Sequence, residues 1–548
     1  MPITEFLARN AAHYGDDAAL VEINPELREL AVAQTDWKEL SLVERSAHTG
    51  YRKTLSWHAF DESANQFANL LMEQGVHRGE KVAILMMNCI EWLPIYFGVL
   101  KTGATVVPMN FRYSAEEIRY CLELADVDAL VFGPEFVERM AALQEKIPRV
   151  RLQFFVGEQW ERPAFAKPYA MLAVRCSKKP PQVTLHDEDD AAIYFSSGTT
   201  GFPKAILHSH RALVCACEVE QAHHSQTRED VFLCIPPLYH TGAKMHWFGS
   251  LLSGSRAVLL RGTQSRWILE TAFWEGATVV WLLVPWAQDI LDALESGELR
   301  LEDYDLSPWR LMHIGAQPVP PSLVKRWKTY FPAHAYDTNY GLSESIGPGC
   351  VHLGVENIGK VGAIGKAGYL WETKIVDEQG ERVAPGEVGE LAVKGAGVMK
   401  CYYKDPEATR AVLRGAWLHT GDMAREDMDG FIYLVDRKKD VIITGGENIY
   451  PVQIEDFLRA HPKIKDAAVI GLAEYRLGEI AAAIVELKPG AQASEEEINA
   501  FCRDLPRYKR PRRIIFAPVP RNATGKIEKP KLRAQYAGGS VVETQLQN

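Results

Sequence analysis

Apolar residues in the first part of the chain alternate between short continuous runs and longer stretches with helical spacing. Residues 82–86 form a continuous apolar run, residues 91–101 carry an apolar face, and residues 104–108 form the next run after Gly103. A strand, a helix and a strand in this order predict a β-α-β unit of a parallel sheet. The same alternation returns at three later runs: 129–132, 279–283 and 311–314. This part of the chain therefore predicts doubly wound α/β subdomains.

The pattern then changes to short stretches in which apolar and polar positions alternate. Residues 362–394 show this alternation, with turn sequences such as 377–380 between the stretches. Such a pattern is typical of short antiparallel strands. We therefore predict a small β-barrel or antiparallel sheet within a β-rich part at about 346–435.

A further change of pattern begins at Asp436. The segment predicts a compact α+β unit of roughly a hundred residues, an ordinary domain size. Its helices and strands are predicted at 452–460, 467–471, 480–487 and 512–516 and in a helix capped by Ser494. A chain of 548 residues is too long for one core. We predict an N-terminal domain at 1–435, with a polar insertion at about 24–49, and a C-terminal domain at 436–548.

Charge and composition exclude several classes of partner. The formal charge is −10 and no basic stripe with interleaved aromatic residues occurs, which argues against nucleic acid. The most apolar run, 279–286, is too short to span a membrane. Nine cysteines are scattered without zinc-ligand spacing, and the first residues carry no signal-peptide pattern. We expect a cytoplasmic protein that is a monomer or a homodimer.

The most informative segment lies at residues 196–204, here called the phosphate loop. It contains four hydroxyl side chains, two glycines and a final lysine: Ser196, Ser197, Gly198, Thr199, Thr200, Gly201 and Lys204. Glycines allow successive backbone N–H groups to converge on an anion, and Lys204 adds positive charge. It is not a Walker A loop, because Phe202 and Pro203 separate Gly201 from the lysine. The segment predicts a phosphate-binding loop.

This loop resembles that of adenylate-forming enzymes, the superfamily of acyl-CoA synthetases, firefly luciferase and peptide-synthetase adenylation domains. Later segments resemble the superfamily's motifs in the same order: 340–344, 389–391, 417–422, 436–440, 445–448 and 522–526. The resemblance covers nearly the whole chain. It implies a large N-terminal domain and a small mobile C-terminal domain, with a hinge at Asp436.

The resemblance also implies a site for ATP and its product AMP. Tyr340 would stack on adenine beside Asn339, and Asp422 and Arg437 would bind the ribose. Glu344 would hold Mg²⁺, with Ser196 as a second metal-side candidate. The other implied nucleotide contacts are the phosphate loop, Gly315, Ala316, Gln317, Gly341, Ser343 and Lys526. Position 343 usually carries threonine in the family, and Ser343 keeps the hydroxyl.

The remaining implied residues concern the acid and coenzyme A. Lys526 would bridge the carboxylate and phosphate oxygens, whose like charges otherwise repel. His240 would orient the carboxylate, and we predict an acyl pocket lined by His240, Trp247, Gly315 and Gly341. The CoA channel is assigned to Lys439, Gly445, Gly446 and Glu447. Catalytic roles thus fall to Lys526, His240 and Glu344.

The implied reaction is the ATP-dependent joining of a carboxylic acid, whether fatty, aryl or alicyclic, to CoA. Two alternatives stay open: an adenylating enzyme that loads a carrier protein, and a nucleotide-binding regulator with an inactive site. Amino-acid-activating domains usually carry an acidic residue in the segment that corresponds to the one after Pro237 here. Residues 240–244 of this chain contain none. A regulator would be expected to have lost Lys526, Glu344 or Asp422, and all three are present.

Overall fold

The computed structural model describes residues 1–29, 50–196, 203–315, 319–444, 447–521 and 527–536. Within these ranges, the side chains of Ala243, Met245, His246, Pro348 and Glu447 are not described. Several predicted site residues lie outside the described ranges: 197–201 of the phosphate loop, Ala316, Gln317, Gly445, Gly446 and Lys526. Most of the predicted polar insertion lies outside them as well.

The chain forms two compact units. The first unit comprises Met1–Gly315, Pro321–Thr373 and Val393–Leu418. The second comprises Ala316–Pro320, Lys374–Ala392 and His419–Asn548. The predicted domain boundary at residue 436 stays a prediction.

The predicted β-α-β unit lies in a largely parallel sheet of the first unit. Lys81–Leu85 pairs in parallel with Thr105–Pro108, and the helix between them spans Trp92–Lys101. The sheet has eight strands, in the spatial order Cys401–Tyr402, Lys204–Ser209, Asp190–Ser196, Thr105–Pro108, Lys81–Leu85, Val127–Phe132, Leu152–Phe155 and Lys167–Pro168. Its buried strands are nearly all apolar, as expected for a sheet covered on both faces.

A second parallel sheet lies in the same unit. In spatial order its seven strands are Ala335–Asp337, Leu311–Gly315, Val279–Leu283, Val231–Cys234, Arg256–Leu260, Ala18–Ile23 and Arg52–Ser56. Only the last pairing is antiparallel. The helices of this unit span Thr4–Tyr14, Trp57–Glu73, Trp92–Lys101, Ala115–Leu124, Val137–Ala141, Tyr169–Ala173, His210–His224, Thr241–Ser253, Ser265–Glu275, Val284–Glu295, Pro321–Tyr330 and Pro406–Val412. The predicted doubly wound α/β class is confirmed.

Short strands form two further sheets, which include most of the strands of the predicted β-rich part and also a strand that precedes it. One contains Asn339–Leu342, Gly347–His352 and Lys366–Ala367. The other contains Trp371–Val376, Val388–Gly395, Trp417–Glu426, Leu413–Arg414 and Ile432–Arg437. The first of these sheets carries the Asn339–Tyr340–Gly341 motif, and the second carries Asp422 and Arg437.

The C-terminal segment is α+β, as the pattern predicts. Its sheet contains Glu447–Ile449, Ile442–Thr444, Gly478–Leu487, Ile464–Glu474 and Arg513–Phe516. Its helices span Pro451–Arg459, Glu495–Phe501 and Lys529–Tyr536. Ser494 caps the second of these helices by accepting a hydrogen bond from the Glu497 N–H. Across the described ranges, no helix combines the length and apolar character that a membrane crossing needs.

Candidate active site

The ends of the phosphate loop are brought together by a β-hairpin. Ser196 and Lys204 are opposite each other where the antiparallel strands Asp190–Ser196 and Lys204–Ser209 meet the loop. The helix His210–His224 follows the second strand directly. The strand Lys204–Ser209 was not predicted. The hairpin places one hydroxyl and one ammonium group, both half-buried, at the base of the loop.

Lys204 and Glu344 contact the same tyrosine. The Nζ of Lys204 lies 4.6 Å from the centroid of the Tyr402 ring. The Tyr402 hydroxyl donates a 2.8 Å hydrogen bond to Glu344 Oε1. Burial, together with the Glu344 carboxylate, raises the pKa of Tyr402 well above its usual value, so the phenol stays protonated and keeps donating. Tyr402 thus connects the predicted phosphate ligand to the predicted metal ligand.

The backbone around Glu344 is fixed on both sides. The Ser343 carbonyl accepts a 2.8 Å hydrogen bond from His208 Nε2, and the Glu344 carbonyl accepts one of 2.8 Å from the Met399 N–H. Burial lowers the pKa of His208 to about 4, so its imidazole is neutral. Carboxylate and hydroxyl oxygens are the ligands that Mg²⁺ prefers, and Glu344 and Ser196 supply such oxygens. The residues present therefore fit a magnesium ion.

Asn339 and Gly315, two of the predicted nucleotide contacts, lie side by side. Gly315 ends the strand Leu311–Gly315. A Cβ at Gly315 would lie 3.8 Å from Asn339 Oδ1 and 4.0 Å from Trp281 Nε1. Asn339 Nδ2 donates a 3.2 Å hydrogen bond to Glu220 Oε1. Tyr340 and Gly341 follow on the same strand and are half-buried.

His240 caps a helix and is oriented by that contact. It precedes the helix Thr241–Ser253, and its Nδ1 accepts a 3.1 Å hydrogen bond from the Gly242 N–H. A neutral imidazole whose Nδ1 is the acceptor carries its proton on Nε2. Nε2 is therefore the donor with which His240 can orient a carboxylate.

Trp281 is a candidate pocket residue that the sequence analysis missed. A Cβ at Gly242 would lie 3.5 Å from Trp281 Cη2, and the other end of the same indole lies near Gly315. The indole therefore lies between Gly242, next to His240, and Gly315, which is a predicted pocket position. Its only sequence signal is a tryptophan in a strand that is otherwise aliphatic, Val279–Leu283.

Trp247, a predicted pocket residue, belongs to an aromatic cluster. It is fully buried, with ring centroids 6.2 Å from Phe60 and 6.1 Å from Phe97. These contacts are those of a core residue. Its role in the acyl pocket stays a prediction.

The second unit holds the two predicted ribose ligands together. Asp422 and Arg437 are cross-strand partners, and Arg437 Nε lies 3.6 Å from Asp422 Oδ1. The turn before Asp422 is fixed by Glu390, whose Oε1 accepts a 3.0 Å hydrogen bond from the Gly421 N–H. Gly421 has a φ of 73°, a conformation that favours glycine. Glu390, from the Gly-Glu-Leu motif, therefore positions the Asp422 turn.

The predicted hinge residue caps a helix in this structure. Asp436 Oδ2 accepts a 2.9 Å hydrogen bond from the N–H of Val452, in the first turn of Pro451–Arg459, and Oδ1 accepts one of 2.7 Å from the Arg437 N–H. Burial raises the pKa of Asp436 to about 6. Among the predicted CoA ligands, Lys439 has a pKa lowered by burial and by Arg437. The backbone of Glu447 pairs with Thr444 across the segment that contains Gly445 and Gly446.

The chain is similar to known proteins over most of its length. A family model described as AMP-binding enzyme matches residues 28–403, and one described as AMP-binding enzyme C-terminal domain matches residues 453–526. A feruloyl-CoA synthase from an Amycolatopsis species is 31% identical over 486 residues, which covers 88% of this chain and 94% of that protein. A long-chain-fatty-acid–CoA ligase from Mycobacterium tuberculosis is 30% identical over 486 residues, with 86% and 92% covered.

A solved structure is similar over nearly the whole length. The ATP-bound MatB from Rhodopseudomonas palustris superposes with a TM-score of 0.84 at 25% identity, covering 98% of this chain and 99% of that one. The sequence-based assignment to the adenylate-forming superfamily, within the acyl-CoA synthetases, is confirmed. The chain belongs to the AMP-binding enzyme family.

Proposed function

We propose that this protein is an ATP-dependent carboxylic acid–CoA ligase that forms AMP. In the first half reaction a carboxylate oxygen attacks the α-phosphorus of ATP, and pyrophosphate leaves. In the second, the CoA sulfur attacks the carbonyl carbon of the acyl-AMP, its proton is lost, and AMP leaves. The intermediate is a mixed anhydride, so the second attack needs positioning more than a strong base.

The observation that carries the proposal is the Lys204–Tyr402–Glu344 constellation at the base of the phosphate loop. A cation, a protonated phenol and a carboxylate are joined through one ring. The lysine supplies charge for the phosphates, and the carboxylate supplies a hard ligand for a divalent cation. A regulator that only binds AMP has no need of a metal ligand held in this way.

Mg²⁺ would be held by Glu344, with Ser196 as the second candidate. When bound, the ion neutralises charge on the triphosphate. The chain's own residues orient the partners. Lys526 would relieve the repulsion between carboxylate and phosphate, and Asp422 and Arg437 would bind the ribose.

For the acid, His240 Nε2 donates towards the carboxylate. Trp281, Gly315 and Gly341 line the acyl pocket. The related proteins are named for an aryl acid and for long-chain fatty acids. We therefore propose an apolar acid from the fatty, aryl or alicyclic classes. The two half reactions would use different orientations of the C-terminal domain, 436–548.

The state of the cysteines is consistent with a reducing cellular compartment. The nine cysteines are thiols, and most of them are buried. Free buried thiols persist where glutathione keeps them reduced. We propose a cytoplasmic enzyme that acts as a monomer or homodimer.

The proposal is tested by pyrophosphate release and thioester formation over straight-chain, aromatic and alicyclic acids, with and without CoA. The expected result is release that depends on both acid and Mg²⁺, followed by a CoA thioester. Pyrophosphate release without thioester formation would favour the carrier-loading alternative. ATP binding without turnover for any acid would favour the regulator.

A further inference from the structure

A closed ring of alternating carboxylates and imidazoles is buried behind the Asn339–Leu342 strand. His352 Nδ1 lies 3.1 Å from Asp337 Oδ2, and His224 Nε2 lies 3.2 Å from the same oxygen. Glu220 closes the ring, because Oε1 lies 3.7 Å from His352 Nε2 and Oε2 lies 3.4 Å from His224 Nδ1. All four side chains are at most 1% exposed. Such burial of two carboxylates requires positive partners.

The carboxylates and imidazoles of the ring stabilise each other's charged forms. Burial disfavours the His352 cation, but hydrogen bonds to Asp337 and Glu220 outweigh it and raise the pKa of His352 to about 9. The pKa of Asp337 is held far below its usual value, since its hydrogen bonds with His224 and His352 outweigh its burial. His313 Nδ1 lies 3.9 Å from Asp337 Oδ2, and the His223 ring stacks on His352 at 3.8 Å.

One member of the ring reaches the predicted adenine site. Glu220 Oε1 accepts the 3.2 Å hydrogen bond from Asn339 Nδ2, and Asn339 is the cross-strand partner of His352. The donor of this bond is the Asn339 NH₂ group and the acceptor is a carboxylate oxygen, so the amide turns its NH₂ group towards Glu220. Its carbonyl oxygen, Oδ1, is then directed away from Glu220, over Gly315.

We propose that Glu220 is a positioning residue for nucleobase selection: by fixing the Asn339 amide it presents Oδ1 to the base. A carbonyl oxygen accepts a hydrogen bond from an exocyclic amino group and opposes a carbonyl. The 6-position of adenine carries an amino group, and that of guanine carries a carbonyl. The ring therefore selects ATP over GTP. This inference rests on the proposed function, because it needs the nucleotide to bind at Asn339.

The test measures ATP and GTP affinities by titration calorimetry in the absence of acid, which separates base selection from turnover. Glu220→Met replaces the carboxylate acceptor with an apolar side chain of similar size. It is expected to weaken ATP binding about tenfold and to lower the ATP:GTP affinity ratio by a similar factor. Glu220→Gln keeps an acceptor oxygen and is expected to keep the ratio within about twofold. The positioning role would be overturned if Glu220→Met kept the wild-type ATP:GTP affinity ratio. It would also be overturned if Glu220→Met and Glu220→Gln lowered this ratio equally.

The matched control is Glu275→Met. Glu275 is also a buried carboxylate of the first unit, and its Oε1 accepts a 2.8 Å hydrogen bond from Arg52 Nε. The Glu275→Met variant is expected to be less stable and to keep the wild-type ATP:GTP affinity ratio. If Glu220→Met does not fold, Asn339→Ala tests the step on which the positioning role depends, because it removes Oδ1 itself. A wild-type ATP:GTP ratio in Asn339→Ala would overturn the proposal.

A metal centre is the competing explanation of this cluster. His224, His313 and Asp337 each offer a ligand atom, and these atoms lie within 4.8 Å of one another. Elemental analysis of the purified protein is expected to find no stoichiometric zinc, iron or nickel. One equivalent of such a metal would overturn the hydrogen-bond ring. Failure of the proposed ligase function would instead appear as ATP binding without acid-dependent pyrophosphate release.

Discussion

The Tyr402 hydroxyl donates a 2.8 Å hydrogen bond to Glu344, so the predicted metal ligand is held by a strand that pairs beside the phosphate-loop hairpin. Tyr402 is the cross-strand partner of Ile206, two residues beyond Lys204. The orientation of the carboxylate is thus coupled to the hairpin that carries the loop. Loss of this one hydroxyl should therefore affect metal-dependent chemistry more than folding.

Tyr402→Phe is expected to lower pyrophosphate release about tenfold at low Mg²⁺, with partial recovery at high Mg²⁺. A hydrogen bond to a charged acceptor is worth about 1.5–3 kcal/mol, which is consistent with that loss. The measurement is the Mg²⁺ dependence of the first half reaction. Tyr403→Phe is the control, because Tyr403 also donates to a carboxylate, Asp126, at 3.1 Å. Equal losses in the two variants would contradict the coupling.

Glu344→Gln removes the charge itself and is expected to cost more. Loss of a contact that stabilises developing charge typically costs about 2.7–4 kcal/mol, or two to three decades of rate. The first half reaction at saturating Mg²⁺ provides the measurement. Wild-type turnover in this variant would show that Glu344 is not the metal ligand.

Local patterns predicted most of the fold because they depend on neighbouring residues. The strand predicted at 279–283 is observed at Val279–Leu283, and the strand predicted at 82–86 at Lys81–Leu85. The strand Lys204–Ser209 was missed because its apolar core, residues 205–207, is short and follows directly on the phosphate loop. Its pairing with Asp190–Ser196 is a property of the hairpin rather than of either segment alone.

The contacts within the site could not be predicted, because they join residues far apart in sequence. Tyr402 meets Glu344 across 58 positions, and Asn339 meets Glu220 across 119. Neither Tyr402 nor Glu220 belongs to a motif or interrupts a periodic pattern. Family resemblance located Glu344 and Asn339, but the groups that orient them follow from tertiary packing.

Trp281 and Trp247 offer a matched pair for locating the acyl pocket. Trp281→Phe is expected to shift kcat/KM several-fold towards bulkier acids, because it opens space beside Gly242 and Gly315. Trp247→Phe is expected mainly to lower Tm, since Trp247 packs on Phe60 and Phe97. Acid profiles and thermal melts of both variants provide the measurement. A shift in acid preference with Trp247→Phe alone would support the sequence-based assignment instead.

His352 should make stability depend on pH in one direction. Its pKa is raised to about 9 by hydrogen bonds that outweigh its burial, compared with about 6.5 when unfolded. The stabilisation is complete below about pH 6.5 and is lost as pH rises through about 9. The difference in free energy of unfolding between wild type and His352→Gln is therefore expected to shrink by about 3 kcal/mol from pH 6.5 to 9. Urea denaturation across this range measures it.

His334→Gln is the control for that measurement. Burial lowers the pKa of His334 to about 4, so it is neutral throughout the same range in the folded state. Its difference from wild type is expected to change by no more than about 0.4 kcal/mol from pH 6.5 to 9, because the unfolded imidazole is already half neutral at pH 6.5. A flat difference for His352→Gln as well would show that His352 is not charged in the folded protein.

Separate assays of the two half reactions test whether the C-terminal domain works in two orientations. Lys526→Ala is expected to lower the rate of acyl-AMP formation strongly. The rate of thioester formation from supplied acyl-AMP is expected to stay near that of the wild type. Gly446→Trp is expected to do the reverse, because a bulky side chain would obstruct the path of pantetheine. Similar losses in both halves for both variants would favour a single closed active site.

Asp436 tests the hinge itself. Asp436→Pro fixes φ and is expected to slow thioester formation more than acyl-AMP formation. The substitution also removes the carboxylate that caps the helix Pro451–Arg459 through the Val452 N–H, which by itself costs about 1 kcal/mol of stability. Asp436→Ala loses the same cap and keeps backbone freedom, so it isolates the hinge effect. Rates of both half reactions are compared in the two variants. If Asp436→Ala slowed the second half reaction as much as Asp436→Pro, the effect would belong to the lost cap, and residue 436 would not be the point of rotation.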